Sequence, residues 1–532
     1  MAVEKFATTP WLLAAALALL AGCSPEEKTI TIVQEPPAAD ATPTDALRFV
    51  PQSVEGELFE GDTDTYSFKA FPQYDFEGYA RVEVADPAGT FQSLAVSPQE
   101  DGSYLVQLTT ASGLSPGVHD GALTVRVCRD SVCSAEHPAS PESVPYHLSV
   151  GSHTHLTPLV PFEGVAEWSM YQANAAHTGY LPVTLDPAKF LPRWIWRPAD
   201  SEAARPGAVA TAGGDVFTAV GGFFGPVSLV ALKEADGTVH WEHSFGERFA
   251  LNPPAVVDGK VHLASSGHQD TFMWTLHADG SGVLAQTPFY SQWEHYFAPT
   301  VHAGSVYTNG GYYGGANAFN ASTGAGEWFV PLNQYDEWTP AVDDQYVYAY
   351  LGDSGLNVID RVAGTLAFVI DDPEFDWAGW SVHASPIITQ PGKVVTINGL
   401  NWYGNDLIRF DVATQSIDWS MPGRFMTQPA VAGGVIYVGN DEYRALEARS
   451  AATGALLWSW ELPAGDDTGF RWNVVATDNV IFVSTAQQVY AVATATHALV
   501  WSYPYGGELA LSPSGVLYVT RDDGALGAIN LR

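Results

Sequence analysis

The 532-residue chain is short of cysteine, of positive charge and of long apolar runs. It carries three cysteines, Cys23, Cys128 and Cys133, so a scaffold of many disulfides is excluded. Its 23 basic residues face 59 acidic ones, a net charge of −36. Such a surface repels nucleic acid and anionic lipid head groups, which excludes direct DNA or RNA binding, and it steers cationic partners. The concentrated apolar stretch from Trp11 to Ala21 is too short to span a bilayer, and no later run approaches the length of a spanning helix.

That stretch has the length of a signal-peptide core and ends in small residues. The tetrad Leu20-Ala21-Gly22-Cys23 resembles a bacterial lipobox. The resemblance implies that residues 1–22 are removed and that Cys23 becomes the lipidated first residue, with Ser24 after it directing the protein to the outer membrane. The membrane is then a partner through this anchor. Residues 23–46 are rich in proline and acid, cannot bury a core, and read as a tether.

From 47 to 150 short alternating runs such as "TYSFKAF", "SYLVQLTT" and "VPYHLSV" are broken by Gly, Pro and Asp. Apolar residues at every second position mark strands with one buried face, and about seven in a hundred residues suit a β-sandwich. The segment resembles the immunoglobulin-like domains of bacterial envelope proteins. Cys128 and Cys133, five apart in "VCRDSVC", are expected to form a disulfide in an oxidising compartment. The alternative, a metal site, lacks accompanying ligands. Residues 151–165 read as a linker, in which His153 and His155 are too few for a metal centre.

Residues 166–532 repeat. "LVALKEADGTVHWEHSF" (229–245), "ANAFNASTGAGEWFVPL" (316–332) and "YRALEARSAATGALLWSWEL" (443–462) share a strand, a tight turn and a second strand carrying an aromatic anchor. The anchor falls at Trp241, Leu284, Trp328, Phe368, Trp419, Trp458 and Trp501, spaced 39 to 51 residues apart. Two further strands precede each copy, as in "PAVVDGKVHLAS". Four short strands per period and no helix make a β-propeller. After Trp501 three strands remain, and "LPRWIWRP" (191–198) can supply the fourth, with Trp196 at the anchor position. The fold expected is all-β: an Ig-like sandwich followed by an eight-bladed propeller, with seven blades as the alternative.

The turns "ATGALLW" and "STGAGEW" resemble the tryptophan-docking motif of pyrroloquinoline-quinone (PQQ)-type propellers, and "EWSMYQANAAHTGY" (167–180) resembles that family's lead-in. The resemblance implies that Trp196, Trp241, Trp328, Trp419, Trp458 and Trp501 hold blades together. In the family's dehydrogenases a ring of adjacent cysteines lies against the quinone, and a carboxylate and an amide hold calcium. This chain has no adjacent cysteines, so no cofactor, metal or catalytic residue is assigned, and the expectation is a non-enzyme. The acidic "DDPEFD" (371–376) reads as an exposed turn rather than a calcium loop. The family also includes the propeller lipoproteins of the outer-membrane β-barrel assembly machine, to which this chain adds the sandwich.

Propeller topology puts the connections between blades and the middle hairpin loops on one face. There the composition turns aromatic: Trp293, Tyr296, Tyr312, Tyr313, Trp338, Trp380, Trp402, Tyr403 and Trp472, with Arg471 among them. Phe223-Phe224, Arg248-Phe249, Arg424-Phe425 and Asp441-Glu442-Tyr443 belong to the same loops. Exposed aromatics beside polar groups mark recognition surfaces. The sequence thus points to a tethered binding or scaffold protein holding an envelope protein partner, with a glycan-binding or polysaccharide-processing protein as the alternative and a quinone enzyme third.

Overall fold

The computed structural model describes residues 45–532 except 100, 153–155, 200–203, 267–270, 291–297, 311–313, 333–337, 352–354, 374, 376–384, 399–404, 464–465 and 467. Cys23, His153 and His155 therefore lie outside the described residues.

Two four-stranded sheets form the first layer pair. One runs in the order Leu47–Val50, Thr65–Pro72, Tyr104–Thr110, Phe91–Pro98; the other in the order Val54–Phe59, Glu142–Gly151, Gly117–Cys128, Arg81–Ala85. Alternation sends Phe68, Val106 and Leu108 inward from one sheet to meet Leu123, Val125, Val144 and Leu148 from the other. Val54–Phe59 pairs in parallel with Glu142–Gly151, so the start and the end of this sandwich share one sheet. A disulfide joins Cys128 to Cys133, with Cα atoms 4.7 Å apart.

Eight further sheets follow, each of four strands in chain order from the axis outward: residues 205–248, 250–288, 300–331, 341–370, 387–421, 430–461, 470–503 and 507–530. In blade 2 two short segments, Ala250–Leu251 and Ala255–Val257, share the inner position. Blade 8 has only three strands of its own, and Leu191–Trp196 pairs antiparallel with Leu526–Asn530 as its outer strand. The ring is eight blades closed by a strand from upstream of blade 1, which joins the two ends of the propeller chain.

The docking side chains follow one register. The third-strand residue opposite Trp241 is Ala231, opposite Trp328 Ala318, opposite Trp458 Ala448 and opposite Trp501 Ala491, and the ladder is offset by one residue just after each pair. The same register in the closing strand sets Ala528 opposite Trp194. Trp194, not Trp196, is therefore the docking residue of blade 8: its Nε1–H donates to the Glu234 carbonyl of blade 1 (2.9 Å). Trp241 donates likewise to Ala278 (3.0 Å) and Trp328 to Arg361 (3.1 Å). Trp196 stands opposite Leu526, two residues further along, and is half-buried. In blade 2 the register selects Ala285 rather than Leu284, which is exposed.

Trp194, Trp241, Trp328, Trp419 and Trp458 each lie on a turn residue of the next blade that has a left-handed backbone. At Gly364 (φ +62°) an added Cβ would sit 2.3 Å from Trp328 Cγ, so both the conformation and the close approach require glycine. Under Trp458 the place is taken by His497, at φ 56°, whose ring stacks on the indole at 4.5 Å and 13°. Trp419 docks against the turn carrying Gly454, but Arg409 donates to the Ala451 and Ala452 carbonyls there (2.6 and 3.0 Å). Trp419 Nε1 has no hydrogen-bond partner among the described residues. At the seam of blades 7 and 8 the outer strand of blade 8 comes from upstream, so no such turn exists, and Trp501 meets Phe190 edge-on at 5.5 Å instead.

The lead-in 168–181 runs inside the ring of inner strands. Backbone N–H groups of the inner strands donate to it in succession: Thr211 to Trp168, Val256 to Ser169, Val342 to Ala175, Ile388 to Ala176, Val431 to Thr178 and Ala476 to Gly179, at 2.7–2.9 Å. These bonds reach blades 1, 2, 4, 5, 6 and 7. Buried His177 reaches blade 3 through the Thr300 hydroxyl, 3.1 Å from Nε2, and blade 5 through the Pro386 carbonyl, 2.9 Å from Nδ1. The inner strands have no further strand on their axial side, and this segment satisfies N–H groups that a bare channel would leave to water.

Candidate binding surfaces

Of the predicted aromatic face, Trp293, Tyr296, Tyr312, Tyr313, Trp380, Trp402 and Tyr403 lie outside the described residues. Trp338 does not belong to a binding face: it is 1 % exposed, packed in the core shared by blades 3 and 4 with Tyr307, Leu332 and Val347. Phe425 is likewise fully buried, beneath the Arg449 guanidinium at 5.3 Å. Both rings sit just before an inner strand, where apolar bulk is drawn into the wedge between blades. Arg471 is exposed, and Trp472 is half-buried with a left-handed backbone (φ 58°). In the acidic turn, Asp371 is exposed as expected, but Asp372 is buried and accepts from the Tyr350 hydroxyl (2.8 Å), which corrects the expectation at that residue.

The loop face does present aromatics. The blade 1 middle hairpin ends in Gly221-Gly222-Phe223-Phe224-Gly225, with Phe223 67 % and Phe224 75 % exposed. Phe224 is held at φ 57° by its N–H, which donates to the Phe249 carbonyl (3.0 Å). Its ring meets Phe249 edge-on at 4.2 Å. Tyr290 and Tyr443 are exposed on other loops of this face. Two large rings kept in water, Phe224 on a left-handed backbone, are a cost to folding that binding can offset.

A second surface had no sequence signal. The sandwich leans on blades 7 and 8, and the buried Glu57 of strand Val54–Phe59 lies 3.5 Å from Arg521 of blade 8. Arg521 also grips Asp523 with two hydrogen bonds (3.1 and 2.6 Å) and lies over the Tyr505 ring at 3.2 Å. Burial pushes the Glu57 carboxyl up to about 7, against the pull of the Tyr503 hydroxyl and Arg521. Beside this joint opens a cleft of about 750 Å³. Gln52, Ser53 and Glu55 form its sandwich wall, and Gln487, Gln488 and Asp522 form part of its propeller wall. On the floor Asp466 is fully engaged, accepting from the hydroxyls of Thr485 (2.6 Å), Thr468 (2.8 Å) and Tyr490 (2.9 Å). These residues are more than 400 apart in sequence, so no local pattern could have grouped them.

Among the described residues one group of side chains converges with metal-ligand spacing, Glu83 with Cys128 and Cys133, and both sulfurs are already spent in the disulfide.

The family model described as outer membrane protein assembly factor BamB matches residues 273–503 and, in an overlapping second match, 444–532. A tetrathionate hydrolase of Acidithiobacillus ferrooxidans is 28 % identical over 143 residues, which cover 24 % of this chain. The match spans only 29 % of that protein's length. Among solved structures, BamB from Moraxella catarrhalis aligns at a TM-score of 0.48 and 15 % identity, covering 64 % of this chain and 98 % of that one. A europium-containing methanol dehydrogenase aligns at 0.50 and 13 % identity, covering 66 % and 89 %. Repeat, register and family match agree, and the eight blades of this chain form a PQQ-like β-propeller.

Proposed function

We propose that this protein is a lipid-anchored, non-catalytic scaffold of the bacterial envelope whose propeller holds a protein partner on its loop face. The observation that carries the reading is the Phe223–Phe224 tip, two exposed rings fixed in place at the rim. The opposite face is occupied structurally: its turns receive the docking tryptophans of neighbouring blades. The family matched is named for outer-membrane protein assembly, which makes a folding or assembling envelope polypeptide the partner of choice. The lipobox at Cys23 supplies the tether, and the two remaining cysteines are joined to each other in the sandwich.

Site-specific photo-crosslinking in intact envelopes tests this. A photoreactive residue at Phe224 should capture envelope polypeptide, and one at Thr453 on the turn face should not. Replacing both rings (Phe223→Ser with Phe224→Ser) should weaken partner binding about thirtyfold, the loss of roughly 2 kcal/mol typical of a buried aromatic anchor. Unchanged partner binding in that variant would overturn the reading, and retention of the wild-type protein on a polysaccharide matrix would move the assignment to glycan binding.

A further inference from the structure

We propose that the cleft between the sandwich and blades 7 and 8 is a second binding site, and that it receives an extended, basic segment of a polypeptide. The site is built from loop-face segments of blades 7 and 8 together with the sandwich, not from the Phe223–Phe224 tip of blade 1, and it does not depend on the function proposed for that tip.

The chemistry of the walls selects the ligand. Charge comes first. Glu55, Asp466, Asp522 and Asp523 line the cleft against one cation, Arg521. That cation is already engaged by Asp523 and Glu57, so an anionic ligand finds no free positive group among the described lining residues. Glu55 stands half-buried in the sandwich wall, its carboxyl pushed up by burial, and an arriving ammonium or guanidinium would stabilise its charged form. Asp522 is exposed at the opposite rim.

Shape and polarity decide between a sugar and a peptide. A saccharide site needs an open aromatic platform, and of the two rings that line this cleft Tyr490 is buried and Tyr505 is covered by Arg521 at 3.2 Å. A peptide needs amide partners for its backbone and apolar seats for alternate side chains. Gln52, Gln487 and Gln488 supply the first; Val50, Pro51, Leu499 and Pro504 supply the second. Leu499 and Ser502 belong to Leu499–Tyr503, the outer strand of blade 7, so the cleft runs along a sheet edge as well.

The test uses the full chain in detergent and a fluorescent octapeptide of alternating lysine and valine, followed by anisotropy. Binding is expected, with no binding of a glutamate–valine octapeptide. Glu55→Gln combined with Asp522→Asn should weaken the basic peptide about tenfold. A charge-matched pair elsewhere, Glu163→Gln with Asp344→Asn, should change it less than about twofold. The Phe223→Ser, Phe224→Ser variant should bind the peptide as the wild type does, which keeps this site distinct from the blade 1 tip. Equal weakening by the two charge pairs would reduce the effect to overall acidity and overturn the proposal. So would absence of peptide binding, or binding of maltohexaose in place of the peptide.

Discussion

The propeller is held shut in two places by two different kinds of contact. At the rim, side chains dock blade on blade, and the contacts vary: indole on glycine at Gly364, indole on imidazole at His497, and Ala285 where the indole is missing. In that last seam Thr287 replaces the missing donor, its hydroxyl donating to the Gly324 carbonyl (2.6 Å), and the two blades close until a Cβ on Gly324 would meet that of Ala285 at 2.3 Å. At the axis the lead-in laces the inner strands through backbone N–H and C=O groups, with the same bond repeated at six blades. Side-chain docking tolerates substitution because several groups can fill one wedge. Backbone lacing tolerates a change of side chain but not a change of path.

The largest expected effect breaks the rim at the closing seam. Trp194→Ala removes an almost wholly buried indole and its bond to blade 1 at the seam where the two ends of the propeller chain are joined, and should cost roughly 4 kcal/mol of unfolding free energy. The same change at Trp196, half-buried and outside the docking register, should cost distinctly less. Equal losses in urea denaturation would place the docking residue wrongly.

Breaking the axis comes next. Gly179 has φ +58°, and an added Cβ would lie 2.9 Å from the Val474 carbonyl oxygen. Gly179→Val should therefore destabilise by roughly 3 kcal/mol, from strain and a clash with backbone that cannot rotate away. A variant as stable as the wild type would show that the lacing does not bear on stability.

A pH titration sharpens the contrast further. Burial holds His177 at about 4 and His262, in blade 2, also at about 4, both below the ordinary 6.5. Between those values the unfolded chain takes up protons that the folded chain refuses, so stability is full above about pH 6.5 and falls as the pH drops towards 4. Each histidine contributes roughly 3 kcal/mol to that fall at its lower end. Urea midpoints compared between wild type and His177→Gln should converge as the pH drops; a constant gap from pH 7 to pH 4 would rule His177 out.

The smallest effect is the most instructive. Ala285→Trp restores the family pattern to blade 2, yet the wedge has already closed around alanine, so overpacking should destabilise by roughly 1–3 kcal/mol. A gain in thermal midpoint would mean that the seam opens as readily as its neighbours.

What the sequence declares here is what repeats or what alternates. Two-residue alternation made the sandwich strands legible, and the spacing of Trp241, Trp328, Trp458 and Trp501 gave the blades, because docking is a side-chain event and leaves its residue in the chain. The choice of Trp194 over Trp196 was not legible, since both lie on one side of the strand and only the ladder offset after Ala528 decides between them. Nor was Trp338 readable as core, for a loop aromatic looks the same in sequence whether it faces solvent or a neighbouring blade.

By itself, then, the sequence determined the all-β class and pointed to the strand that closes the ring and to the pairing of the sandwich cysteines, each through a local pattern with a local physical cause, while the choice of eight blades over seven waited for the structure. The tertiary structure alone decided which rings stay in water, how the lead-in laces the axis, and that Glu55 and Arg521 border one cleft. Those outcomes depend on backbone hydrogen bonds that any side chain permits, and on contacts between segments hundreds of residues apart, and neither leaves a periodic trace in the chain.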